Sequence, residues 1–329
     1  MNRLVAPFPW FGGKSIAADL IWSRIGNVPN YVEPFAGSLA VLLGRPHEPR
    51  IETVNDLDCY LANFWRALQA DAEAVAQYAD WPVNEADLHA RHLWLINQQE
   101  FQERMKTDPD YFDCKIAGWW VWGIAQWIGS GWCAKRPHLG NAGVGVNRKL
   151  LHLGDAGVGV NRQLPHLSGS RGVNRLYLQL LSYFETLADR LRKVRVCCGD
   201  WTRVLGPSPT EKLGVTGILL DPPYSEEANR DEHVNNFYDS KVASEVRQWA
   251  ISNGDNPQLR IALCGYEGEH EMPGSWECVP WKARGGYGSQ GNGNGRLNSA
   301  RERIWFSPHC LTAPLFESLR LQELTLEST

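Results

Sequence analysis

The chain has 329 residues, of which 43% are hydrophobic and 21% charged, and a formal net charge of −4. This is the composition of a globular protein with one large domain or two modest ones, and it excludes a uniformly basic nucleic-acid binder; any contact with DNA must gather positive charge on one face. The first residues lack the apolar core of a signal peptide, no stretch is long and apolar enough to span a membrane, and the eight cysteines form no C-x-x-C pair, so a reduced, cytoplasmic protein without a zinc site is expected.

Gly12-Gly13-Lys14 precedes a helix expected over 15–24, with Ile16, Leu20 and Ile21 on one side. Tyr31-Val32-Glu33 reads as a short strand ending in Pro34-Phe35-Ala36-Gly37, and a helix follows from about Leu39. Strand, tight turn and helix make the first half of a Rossmann-like βαβ unit. A second strand over 51–54 ends in Asn55-Asp56 and feeds a helix through Ala67. A glycine in the first turn lets backbone approach a ligand, and an acid about 20 residues on is placed to bridge ribose hydroxyls; Gly37 and Asp56 fit those two jobs.

Helices are expected through much of 71–130. Trp119, Trp120, Trp122, Trp127 and Trp132 have a roughly helical spacing that favours a bulky helix core, while Trp127 and Trp132 also suit the wall of a DNA-facing cleft. The run from His138 to Arg148 then recurs fourteen residues later as His152 to Arg162, and a shortened third copy ends at Arg175. Rich in Gly and Asn, these repeats predict loops and short β-turns. Between 135 and 175, seven basic side chains (Lys135, Arg136, Arg148, Lys149, Arg162, Arg171, Arg175) stand against one acid, Asp155. This is the basic patch that the overall charge conceals; Arg148, Arg162 and Arg175 recur in register and suit phosphates or guanine edges. The plainer alternative is a low-complexity insertion with no partner.

After a helix over 176–191, a strand over 194–198 ends in Gly199-Asp200-Trp201, and the apolar run Gly217-Ile218-Leu219-Leu220 reads as a buried strand ending in Asp221-Pro222-Pro223-Tyr224. A carboxylate, two prolines and an aromatic ring at a strand's carboxyl end suit methyl transfer to the exocyclic amino group of a base. A carboxylate and a backbone carbonyl accept the two N–H bonds of that conjugated, poorly nucleophilic nitrogen, the prolines stiffen the turn, and the ring stacks an extruded base. A structural Pro-Pro turn with a buried Tyr is the alternative. A helix over 241–252 and a strand over 260–264 follow, then strands over 276–282 and 301–306 on either side of a Gly-rich loop at 285–295.

Taken in order, Trp10-Phe11-Gly12-Gly13-Lys14, Val32-Glu33-Pro34-Phe35-Ala36-Gly37, Asn55-Asp56-Leu57, Gly199-Asp200-Trp201 and Asp221-Pro222-Pro223-Tyr224 resemble the motifs of the Dam-like DNA adenine N6-methyltransferases in their alpha arrangement. The resemblance covers 7–70 and 190–306. It implies an α/β fold, a Rossmann-like S-adenosylmethionine-dependent methyltransferase sheet built from 1–70 and 190–310. A helical and repeat-containing target-recognition insertion at 71–189 and a C-terminal extension at 311–329 complete the expected organisation. It further implies that Trp10, Gly12 and Lys14 belong to the cofactor site, with Lys14 on the carboxylate of S-adenosylmethionine. Glu33, Phe35 and Gly37 would shape the methionine pocket, Asp56 would hold the ribose, and Asp200 and Trp201 the cofactor's adenine. Asp221, the Pro222 carbonyl, Pro223 and Tyr224 would hold the target adenine, and Lys135, Arg136, Arg148, Arg162 and Arg175 would meet DNA.

No metal is implied. The expected partner is double-stranded DNA, for an orphan enzyme or one paired with a cognate restriction endonuclease, in a bacterium or phage. The recognition sequence of the GATC-specific members is absent, and the repeats occupy its place. Cytosine-N4 enzymes more often carry Ser at the first catalytic position and RNA or protein-amide enzymes Asn, so Asp221 favours adenine in DNA. A non-catalytic DNA-binding protein on the same scaffold is the remaining alternative, opposed by the joint presence of Lys14, Gly37, Asp56, Asp200 and Asp221.

Overall fold

The computed structural model describes residues 4–8, 10, 13–108, 110–128, 132–133, 159–160, 177–224, 241–281 and 301–312. Within them, seven strands form one sheet in the order β5 (Val194–Cys198), β2 (Ile51–Asp56), β1 (Asn30–Glu33), β6 (Thr216–Leu220), β7 (Leu259–Tyr266), β9 (Glu302–Phe306) and β8 (Glu277–Pro280). The first five are parallel, and β9 runs antiparallel between β7 and β8. The chain enters at β1, steps outward to β2 and β5, then returns to β6 on the other side. That reversal between β1 and β6 is the switch point at which open α/β sheets bind ligands, beyond the carboxyl ends of the strands.

Strand periodicity divides the core. Tyr31, Leu219, Ala262 and Cys264 face one apolar cluster with α1 (Ala18–Ile25) and α3 (Cys59–Ala70), while Val32, Ile218, Leu220, Ile261 and Leu263 face another with α9 (Val242–Asn253). Every residue of β1 and β6 is buried, as expected of parallel strands covered on both faces. The short α2 (Ala40–Leu43) is a single turn between Leu39, which takes a left-handed φ of 57°, and Gly44. The helix expected over 15–24 begins at Ala18, after a turn at 15–17.

Between β2 and β5 lie α4 (Ala72–Ala79), α5 (Glu85–Ile96), α6 (Phe101–Thr107), α7 (Cys114–Gln126) and α8 (Tyr177–Leu191). Side-chain caps start α3 and three of these helices: Asp58, Asp71, Asn84 and Asp113 each accept backbone N–H of the first turn. In α8, Leu180, Tyr183, Phe184, Leu187 and Leu191 fall on one buried stripe. The helix is pinned to the sheet where Glu52 of β2 accepts from Arg190 at 2.6 Å and from Arg45 at 3.1 Å.

Trp120, Trp122, Trp127 and Trp132 are all buried, Trp132 donates its indole N–H to the Trp120 carbonyl at 3.0 Å, and His92 stacks on Trp127 with ring centroids 5.1 Å apart. Trp127 and Trp132 are therefore core, and the cleft-lining alternative for them is overturned. Residues Trp127–Ile128 form β3, which pairs antiparallel with β4 (Gly159–Val160), a piece of the second repeat. The rest of the repeats, the Gly-rich loop at 285–295 and residues 313–329 lie outside the described residues. Among those described, no helix is long and apolar enough to cross a membrane.

Candidate active site

The register of the parallel strands brings four loops to one edge of the sheet. Glu33 pairs with Val54, Asp56 with Cys198 and Val32 with Ile218, so the segments that follow β1, β2, β5 and β6 emerge side by side. Asn55 links three of them: its amide donates to the Pro34 carbonyl at 3.0 Å and to the Gly199 carbonyl at 2.9 Å. Its Oδ1 is buried with no partner among the described residues. Asp56 binds backbone with both oxygens, accepting Gly37 N–H at 3.0 Å on Oδ2 and Asp58 N–H at 3.0 Å on Oδ1. Burial raises the Asp56 pKa against these hydrogen bonds, and burial together with Asp56 pushes Asp58 up to about 7.

Gly37 is required twice over. Its φ is 48°, a left-handed conformation, and a Cβ there would lie 2.6 Å from Trp10 Nε1. The indole of Trp10 thus rests on the glycine turn. Phe35, from the same turn, stacks on Trp201 after β5, with centroids 6.1 Å apart at 30°. Beside that stack Asp200 is exposed, and it caps a 3-10 turn by accepting from Thr202 N–H at 3.0 Å. Glu33 is buried and accepts from the Tyr31 hydroxyl at 2.8 Å; burial outweighs that bond and pushes its carboxyl up to about 8.

Lys14 is brought to the tetrapeptide after β6. Its Nζ lies 3.0 Å from Asp221 Oδ1 and 2.9 Å from the Tyr224 hydroxyl, with Glu302 Oε2 at 3.9 Å. Burial works against the ammonium, but Asp221 and Glu302 overcome it and hold the lysine above its ordinary range. The rings of Tyr224 and Trp281 lie 5.3 and 5.5 Å from Nζ. Tyr224 is buried, packed edge-on against Tyr266 at 4.5 Å, and donates to Glu302 at 2.8 Å.

The structure therefore brings Trp10, Glu33, Phe35, Gly37, Asp56, Asp200 and Trp201 to the strand ends where the sequence predicts them, with Asp221, Pro222, Pro223 and Tyr224 beside them. Lys14, expected at a cofactor carboxylate, stands against the tetrapeptide, where two carboxylates compensate its burial. Gly12, Lys135, Arg136, Arg148, Arg162 and Arg175 lie outside the described residues. Sequence reasoning missed Glu302, Tyr31 and the linking role of Asn55. The one available signal is a carboxylate at the head of the strand Glu302–Phe306, ahead of the apolar Ile304, Trp305 and Phe306.

The donor set fits S-adenosylmethionine. A cation bearing a ribose and an adenine suits an edge lined by Asp56 and Asp200, an orphaned Asn55 oxygen, a glycine cradle and an aromatic stack. Residues 10–117 match the family of D12 class N6 adenine-specific DNA methyltransferases. The matched stretch contains Trp10, Lys14, Glu33, Phe35, Gly37 and Asp56 and ends before Asp221. No curated protein matches the chain.

Proposed function

We propose that this chain is an N6 adenine-specific DNA methyltransferase, the family that its residues 10–117 match, and that it uses S-adenosylmethionine to methylate an adenine flipped out of double-stranded DNA at a defined sequence. The observation that carries this reading is the Asp221-Pro222-Pro223-Tyr224 turn at the sheet's switch point, with its carboxylate oriented by Lys14 at 3.0 Å. When bound, S-adenosylmethionine supplies a methyl group made electrophilic by a sulfonium sulfur. Glu33, Phe35, Gly37 and Asp56 form one side of its site with Trp10, and Asp200 with Trp201 the other.

Asp221 and the Pro222 carbonyl accept the two N–H bonds of the target amino group and turn its lone pair towards the methyl. Lys14 acts at Asp221: it occupies Oδ1, and the second carboxylate oxygen keeps its lone pairs for the base. Tyr224 supplies the ring that bounds the base pocket. Holding both reactants in line contributes several kcal/mol, roughly as in other well-oriented transfers. The proton leaves only after the nitrogen is quaternary, so Asp221 is a hydrogen-bond acceptor and no base of high pKa is needed. The basic repeat segment, with Lys135, Arg136, Arg148, Arg162 and Arg175, neutralises phosphates and sets the register on DNA.

The test is methylome sequencing of DNA from a methylase-free host expressing the chain, beside Asp221→Ala. N6-methyladenine confined to one sequence context and lost in the variant is the expected result. Soluble protein that binds the cofactor yet leaves DNA unmethylated would sink the reading.

A further inference from the structure

We propose that Glu302 is a positioning residue for methyl transfer, holding the Tyr224 hydroxyl and, through it, the Lys14–Asp221 pair. The inference rests on the reading of Asp221 and Tyr224 given above. Glu302 stands 78 residues beyond Tyr224 and lies on β9, outside every motif. Its carboxylate is buried, which raises its pKa against the pull of Lys14 and Tyr224. A buried carboxylate is poor evidence for stability, because an apolar side chain of similar volume serves packing as well or better. What the carboxylate provides here is direction.

A tyrosine hydroxyl has a single proton. In Tyr224 it can go to Glu302 at 2.8 Å or towards Asp221 at 3.4 Å, and the shorter contact takes it. With the hydroxyl donating to Glu302, its oxygen is open to Lys14 at 2.9 Å, and Lys14 reaches Asp221 Oδ1 at 3.0 Å. Glu302 thereby keeps Tyr224 from competing with Lys14 at Asp221 Oδ1, and the Lys14 contact that turns the second carboxylate oxygen towards the target amino group is preserved. The register supports the same assignment, since Tyr266 of β7 pairs with Glu302 of β9, and the two clamp the Tyr224 ring and its hydroxyl respectively.

The test compares Glu302→Met, which keeps volume without an acceptor, with Glu302→Gln, which keeps an acceptor oxygen, each alone and combined with Tyr224→Phe. Methyl incorporation into plasmid DNA from a methylase-free host gives kcat, and titration calorimetry gives the Kd for S-adenosylmethionine. The Met variant should lose about tenfold or more in kcat with the cofactor Kd moved less than about threefold, as expected for an interaction felt mainly in the transition state. Gln should recover most of that loss, and in the Tyr224→Phe background Met should cost less than about twofold more, since coupled partners are not additive. An active parent whose Met variant stays within about twofold, or a full Met loss that persists in the Tyr224→Phe background, would overturn the inference alone. A parent that methylates no adenine would remove the reading on which it rests.

Discussion

Single atoms decide the chemistry at the strand ends. Asp56 is spent on backbone, one oxygen on Gly37 N–H and the other on Asp58 N–H, so its first effect is to fix the turn that carries Gly37. Gly37 combines a left-handed φ of 48° with an indole 2.6 Å from where a Cβ would stand. Gly37→Ala must therefore push Trp10 away as well as strain the backbone by about 1–2 kcal/mol. The expected outcome is folded protein whose affinity for S-adenosylmethionine falls by about tenfold or more, the factor that 1.4 kcal/mol represents. Titration calorimetry reads it directly, and an unchanged Kd would show that the turn does not face the cofactor.

At the scale of elements, glycine also sets how closely helices pack. Gly118 of α7 lies against α4, where a Cβ would meet Tyr78 Cβ at 2.3 Å and the Val75 carbonyl oxygen at 2.8 Å. Backbone cannot swing aside as a side-chain tip can, so Gly118→Ala is expected to separate the helices at a cost of about 1–3 kcal/mol, the usual range for overpacking. A urea titration showing a lower midpoint would bear this out, and an unchanged midpoint would refute the contact. Nothing in the sequence marks Gly118, because the contact joins helices whose crossing no local pattern encodes. The parallel strands are legible for the opposite reason. Their apolar runs end in distinctive turns, and Tyr31-Val32-Glu33, the 51–54 run and the 217–220 run each appear as strands within a residue or two. The left-handed Leu39 before the short α2 is not legible, since it is a tertiary choice that propensity opposes. Within the site the motifs announce Asp221 and Tyr224, but Glu302 arrives across β9, and only the sheet order places it there.

Across the molecule, the strand ends gather acids at one edge, where Glu33, Asp56, Asp58 and Glu302 all have raised pKa values, with burial the leading cause in each. Such crowding runs against stability, as functional sites often do, and it has a measurable signature. Glu33, at about 8, and Asp58, at about 7, keep protons in the folded chain that the unfolded chain releases near pH 4–4.5. Their contribution to stability is complete below the unfolded values and lost as pH rises through the folded ones. Buried His92 acts oppositely: burial lowers it to about 4, so the unfolded chain takes up a proton below its ordinary value of about 6.5 and stability falls with acid there. The two trends oppose each other between about pH 4.5 and 6.5, and above that the carboxyls act alone. The thermal midpoint should therefore decline from about pH 6.5 to 8, at up to about 1.4 kcal/mol per pH unit for each carboxyl still protonated in the fold. Glu33→Gln should flatten that decline, most clearly towards about pH 8, where more than half of Asp58 has ionised. Calorimetric scans of parent and variant at matched ionic strength decide it. A parent midpoint that holds level or rises over that interval would mean that Glu33 is ionised in the folded chain, and that some positive group compensates the acid edge from within.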